Sequence, residues 1–148
     1  MKTRLFVRPA GPRPDFRLVI TFLWSEMHNV DSEGDSHSPA SRNWTWLYLQ
    51  DRAQLKSIVE VHPLELDPLV LAIDSEQIAL AARVALFLAR ETAGEVAAQP
   101  GVFSSPDSLI PLLGVDFDLA EALRRADQSV WRSATEENPY PNLSKRPV

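Results

Sequence analysis

The hydrophobic period of this chain changes once, near residue 75, and that change limits what it can fold into. Upstream lie short β-branched and aromatic blocks: "TRLFVRP", "FRLVITFLW", "WTWLYLQ", "KSIVEVH" and "PLVLAID". These have the composition and period of strands. Downstream, Ile78, Ala81, Ala82, Ala85, Leu88 and Ala89 recur at helical spacing, and Leu119, Ala122, Leu123, Ala126 and Val130 do so again. Strands followed by helices predict an α+β domain. The expected architecture is a mainly antiparallel sheet of four to six strands in the N-terminal two-thirds. One buried helix packs on it, and a second helix follows near the C-terminus. Residues 1–135 are expected to form a single domain with a flexible polar loop at 25–43, and 136–148 an extended Pro-rich tail.

Local signals refine this outline. In "FRLVITFLW", Phe16, Leu18, Ile20, Phe22 and Trp24 fall on one face of a strand, and the other face is also apolar past Arg17. That predicts a central strand covered on both sides. It would pair with "WTWLYLQ" in a long hairpin whose tip is 25–43. Pro63 and Pro68 bracket "PLELDP", which reads as a turn between two strands. Asp74 lies three residues before Gln77, the spacing of a capping box, and Gly94 suits the position after the helix. "EVAAQ" reads as a short strand. Ser105 and Pro106 open a short helix stopped at Gly114, and Asp118 with Glu121 opens another that runs to about Trp131.

The chain has 148 residues, of which 45% are hydrophobic and 24% charged, enough for one ordinary core. It contains no cysteine, which excludes disulfides, thiolate metal sites and cysteine nucleophiles. The N-terminus lacks an apolar signal segment, and no run approaches the ~18 apolar residues of a membrane span. A cytoplasmic protein without membrane contact is expected. The net charge of −5 disfavours generic nucleic-acid binding. Residues 1–24 carry Lys2, Arg4, Arg8, Arg13 and Arg17 against Asp15, a distribution suited to solubility on an edge strand. Twelve arginines against three lysines fit a GC-rich bacterial source.

Candidate chemistry is sparse. "HNVDSEGDSH" holds His28, Asp31, Glu33, Asp35 and His37. Asp31, Glu33 and Asp35 match positions 1, 3 and 5 of a calcium loop, but Ser36 stands where its turn glycine belongs and Arg42 where its last glutamate belongs. The reading is a solvated loop with no metal and no cofactor. Glu60 and His62 share one face of a strand and are the best acid–base pair, if the chain is a metal-assisted or acid–base enzyme. Phosphate loops, dinucleotide fingerprints, nucleophile elbows and zinc-protease helices are all missing as motifs. Ser104, Ser105 and Ser108 are explained by helix capping. The most unusual feature is aromatic: Trp24, Trp44, Trp46 and Tyr48 fall near one end of the expected hairpin. They predict either cross-strand core pairs or, with Asp31, Glu33 and Asp35 as a steering rim, a partner-binding surface.

The run "ALFLARETAGEVAAQPGVFSSPDSL", residues 85–109, resembles a layout found in small bacterial immunity proteins paired with polymorphic toxins. There a sheet-packed helix ends at a glycine, followed by a short strand, a loop and a capped helix. The resemblance implies a non-catalytic protein that neutralises a cognate toxin; it assigns no individual residue a role. A small-molecule-binding or secretion-adaptor protein is the remaining alternative.

Overall fold

The computed structural model describes residues 2–35, 38–141 and 143. Six strands form one sheet: β1 (Thr3–Arg8), β2 (Val30–Gly34), β3 (Leu47–Asp51), β4 (Ile58–Leu66), β5 (Leu69–Ser75) and β6 (Glu95–Ala97). Their order is β2-β3-β4-β5-β1-β6, and every neighbouring pair is antiparallel. The helices are α1 (Phe16–Leu23), α2 (Ile78–Glu91) and α3 (Leu119–Asp127), with 3-10 helices at Pro106–Leu112 and Val130–Ser133. The α+β class and the antiparallel sheet agree with the sequence pattern. Among the described residues, no helix is long and apolar enough to cross a membrane.

Alternation along the strands sorts the sheet into two unlike faces. Leu5, Val7, Leu47, Leu49, Val59, Val61, Leu71, Ile73 and Val96 join the main core with residues of all three α-helices. The intervening residues point to the opposite face, where Phe6, Val70 and Ala97 form a small separate cluster with Phe103 and no helical residue. Helix α2 explains the asymmetry. Nine of its fourteen residues are buried, four of them alanines at 81, 82, 85 and 89. The helix is buried on two sides because it lies between the sheet and α1, and its small side chains permit that close approach.

Helix α1 overturns the expected central strand at 16–24. All eight of its residues are buried, so it has no polar stripe, and a helix buried all round cannot be told from a doubly covered strand by periodicity. Its start decides the matter. Asp15 Oδ1 accepts the Arg17 N–H at 2.9 Å, capping the first turn. The same carboxylate receives Arg17 Nε at 2.9 Å and Nη2 at 2.6 Å, while Asp15 is fully buried. The Arg17 guanidinium lies 3.9 Å from the Trp131 ring. At the other end, Arg125 of α3 donates to the Thr21 and Phe22 carbonyls at 3.2 and 2.9 Å. Phe22 stacks on Phe87 of α2 with ring centroids 4.5 Å apart.

With α1 a helix, the expected 16–24/44–50 hairpin is replaced by β2–β3. The 25–43 segment is thus not one long loop: Val30–Gly34 is a strand, with Val30, Ser32 and Gly34 half-buried and Asp31 and Glu33 exposed. Gly34 has φ +92°, and a Cβ there would sit 2.6 Å from the Trp46 carbonyl oxygen, so a glycine is needed at this crossing. Ser36 and His37 lie outside the described residues.

Three smaller expectations also change. Strand β4 runs through Pro63 to Leu66, with a register shift between Pro63 and Glu65 that accommodates the missing donor, so "PLELDP" is largely strand. Asp74 belongs to β5, and Gln77 caps α2 without a side-chain hydrogen bond, so there is no capping box there. Helix α3 stops at Asp127; Ser129 then caps the Val130–Ser133 helix by accepting the Trp131 N–H. The other helix starts hold: Ser105 and Asp118 each cap with their side chains.

Removing the Asp15 carboxylate leaves a buried arginine without its counterion. Asp15→Ala is expected to lower unfolding free energy by about 3–5 kcal/mol, measured by urea denaturation. An unchanged midpoint would remove this pair from the determinants of α1.

Candidate functional site

The helix-free face carries a lateral row of polar and aromatic side chains. Register aligns Glu33 with Tyr48, Tyr48 with Glu60, Glu60 with Asp74, and Asp74 with Arg4. Five strands therefore contribute one residue each. His62 lies two residues further along β4 on the same face, opposite Ala72.

Asp74 is the centre of the row. Its Oδ1 accepts Arg4 Nε at 2.7 Å, and its Oδ2 accepts Arg4 Nη2 at 2.8 Å. His62 Nε2 lies 2.8 Å from the same Oδ2. A carboxylate oxygen only accepts, so Nε2 carries the proton and Nδ1 is left as the basic nitrogen when the ring is neutral. The Arg4 guanidinium holds the Asp74 carboxyl below its ordinary value against the upward pull of burial, and His62 adds to the lowering. Arg4 is correspondingly raised by its hydrogen bond to Asp74.

Glu60 makes no hydrogen bond to that cluster and adds to it only through its charge, which helps raise Arg4. Its Oε2 accepts the Trp46 indole N–H at 3.0 Å. The expected Glu60/His62 pair thus becomes two separate arrangements on one face: Trp46–Glu60 and Arg4–Asp74–His62. Beside them opens a cleft of about 300 Å³, whose walls include Tyr48, Leu55, Ile58 and Glu60, with Lys2 and Lys56 at its edge. A larger depression of about 440 Å³ between residues 38–41 and 136–140 offers one carboxylate, Glu136, and less chemistry.

The other sequence candidates are dispersed. Trp44 is buried in the core, and its indole N–H donates to the Pro14 carbonyl at 2.7 Å, so it is unavailable to a partner. Trp24 ends α1 and stacks on His28 at 5.2 Å. His28 Nε2 lies 2.8 Å from Asp51 Oδ1. Burial pulls the Asp51 carboxyl upward, but hydrogen bonds from His28 and the Ala53 N–H outweigh it and the net direction is down. Asp35 accepts the Thr45 and Trp46 N–H groups at 3.0 and 3.2 Å, a turn-forming role. Asp31 pairs with Arg52 at 3.0 Å, and Glu33 is exposed. Asp31, Glu33, Trp46 and Tyr48 therefore remain together near the β2 side of the helix-free face, while Trp24, Trp44 and Asp35 do not join them. Among the described residues, no group of three or more His, Asp or Glu side chains could hold a metal.

Arg4 and Asp74 were not singled out by sequence. Both were legible in principle: Arg4 shares the Phe6 face of β1, alternating with Leu5, and Asp74 continues the Val70/Ala72 face of β5. The helical signal that starts three residues later drew Asp74 into a cap instead. Searches against family models, curated proteins and solved structures find no match to this chain.

The Asp74 linkage has a definite sign. Its folded value is lowered, so its contribution is present above the unfolded value of ~3.9 and is lost as pH falls through the folded one. Asp74→Asn is expected to cost about 1–3 kcal/mol at neutral pH, with the difference from wild type shrinking in acid. Urea denaturation of both proteins across pH 2–7 reads this; a pH-independent difference would sink it.

Proposed function

We propose that this chain is a non-catalytic binding protein that receives a protein partner on the helix-free face of its sheet. The partner is a toxin domain, which the chain neutralises in the cytoplasm in the manner of an immunity protein. One observation carries the reading: Trp46 and Tyr48 stand on the face away from every α-helix, beside Glu33 and Glu60, with Trp46 44% exposed. Aromatic side chains supply much contact area at small entropic cost, and neighbouring carboxylates add hydrogen-bond acceptors for a basic partner. The layout of residues 85–109, here α2, β6 and the Pro106–Leu112 helix, supports the immunity-protein form of the proposal.

A second reading, acid–base catalysis, is favoured by the orientation of His62, whose Nδ1 is the free base once Nε2 is committed to Asp74. Glu60 is then not its partner, because that carboxylate is engaged by Trp46.

The test uses the purified product of the adjacent reading frame and titration calorimetry. Trp46→Ala and Tyr48→Ala are each expected to weaken binding by about 2 kcal/mol or more, with melting temperatures unchanged. Reversing Asp31 and Glu33 is expected to slow association and reduce its salt dependence. Unaltered affinity in both aromatic variants would remove this face from the interface.

A further inference from the structure

The two edges of the sheet are unlike. At the β6 edge, Ser104 bridges back to Val96, with N–H···O=C distances of 2.8 and 2.9 Å in the two directions. At the β2 edge, no strand lies beyond Val30–Gly34 among the described residues. The β2–β3 ladder shows which groups this leaves outward. The Arg52 N–H donates to the Asn29 carbonyl at 3.2 Å, and the Asp35 N–H donates to the Trp46 carbonyl at 2.9 Å. Antiparallel alternation then directs the backbones of Asp31 and Glu33 inward to β3, and those of Val30 and Ser32 away from the sheet.

The side chains on this edge select what can dock there. Asp31 and Glu33 are both exposed and both lie on the helix-free face, aligned with Gln50 and Tyr48. A second copy of this chain pairing antiparallel about Ser32 would bring Asp31 opposite Glu33 of its neighbour, like charge against like. A strand with lysine or arginine at alternate positions would meet both carboxylates favourably. Arg52 satisfies Asp31 only in part, since both members of that pair remain about half exposed.

We propose that β2 is a strand-addition site: an extended segment of the protein partner, with basic residues at alternate positions, pairs with the Val30–Gly34 edge and lays those residues along Asp31 and Glu33. This rests on the binding reading above and specifies how the partner enters. Main-chain hydrogen bonds to Val30 and Ser32 would give the affinity, and the two acids the choice of sequence. The docked strand would extend the sheet beyond Glu33, continuing the row that ends there.

Two synthetic seven-residue peptides test it, one alternating lysine with valine and the other glutamate with valine, titrated at millimolar concentration into the isotopically labelled full chain. The lysine peptide is expected to shift the Val30 to Gly34 resonances, to slow amide exchange at Val30 and Ser32, and to bind about tenfold or more tightly than the glutamate peptide. Combined Asp31→Lys and Glu33→Lys substitution should reverse that preference. Ser32→Pro removes an outward N–H without touching the β2–β3 ladder, and should abolish binding while leaving the melting temperature near wild type. Should Ser32→Pro unfold the chain, the charge reversal decides alone. Equal binding of the two peptides, unperturbed β2 amides, or a folded Ser32→Pro variant that still binds would each overturn strand addition. A partner whose affinity falls with Trp46→Ala and Tyr48→Ala but not with Ser32→Pro would leave the face-binding reading standing without it.

Discussion

The buried contact between Asp15 and Arg17 is the constraint on which the helical layer depends. One carboxylate caps α1, neutralises a guanidinium and is itself fully buried. The guanidinium in turn lies against Trp131, tying the start of α1 to the C-terminal Val130–Ser133 helix. The pair is costly to desolvate, so its geometry must be good, and the bidentate contact with the aromatic face beneath supplies that. One nitrogen, Nη1, has no hydrogen-bond partner among the described residues. Arg125 completes the helix from the other end by meeting carbonyls that no residue of α1 itself serves.

With α1 anchored, α2 is enclosed between it and the sheet, and every α-helix is on one side. The sheet is then free to be polar and aromatic on its other side, as antiparallel sheets commonly are. The proposed site follows from this division of labour. Arg4, Asp74 and His62 make a tight cluster of paired groups near the middle of the face, while Trp46, Tyr48 and Glu33 lie toward an edge that no other strand covers among the described residues. The first group is held by hydrogen bonds within the chain; the second has more capacity left for a partner.

The sequence candidates regrouped for a physical reason. Assigning Trp24, Trp44, Trp46 and Tyr48 to one patch assumed that 16–24 and 44–50 were paired strands. Once 16–24 is helical, Trp24 is a helix terminus and Trp44 fills the core next to Pro14. The acidic residues of 25–43 divide similarly, because Asp35 holds a turn and Asp31 shares its charge with Arg52. Glu60 and His62 do share a face, as period two requires, but their partners come from Trp46 and from β5, which no local pattern records.

The sequence by itself determined the α+β class, the strands β4 and β5, the long helix α2, the short β6, and the starts of the Pro106 and Leu119 helices. These rest on periodicity and capping chemistry within a few residues, and such signals are local. The tertiary structure alone decided that "FRLVITFLW" is a helix, that "VDSEG" is a strand, and that Asp74 meets Arg4 and His62. A segment buried on all sides loses the polar stripe that identifies a helix, and a short polar segment becomes a strand only when a neighbour supplies its hydrogen bonds. The Asp74 cluster joins residues up to 70 positions apart, so only the pairing of β1 with β5 could bring it together.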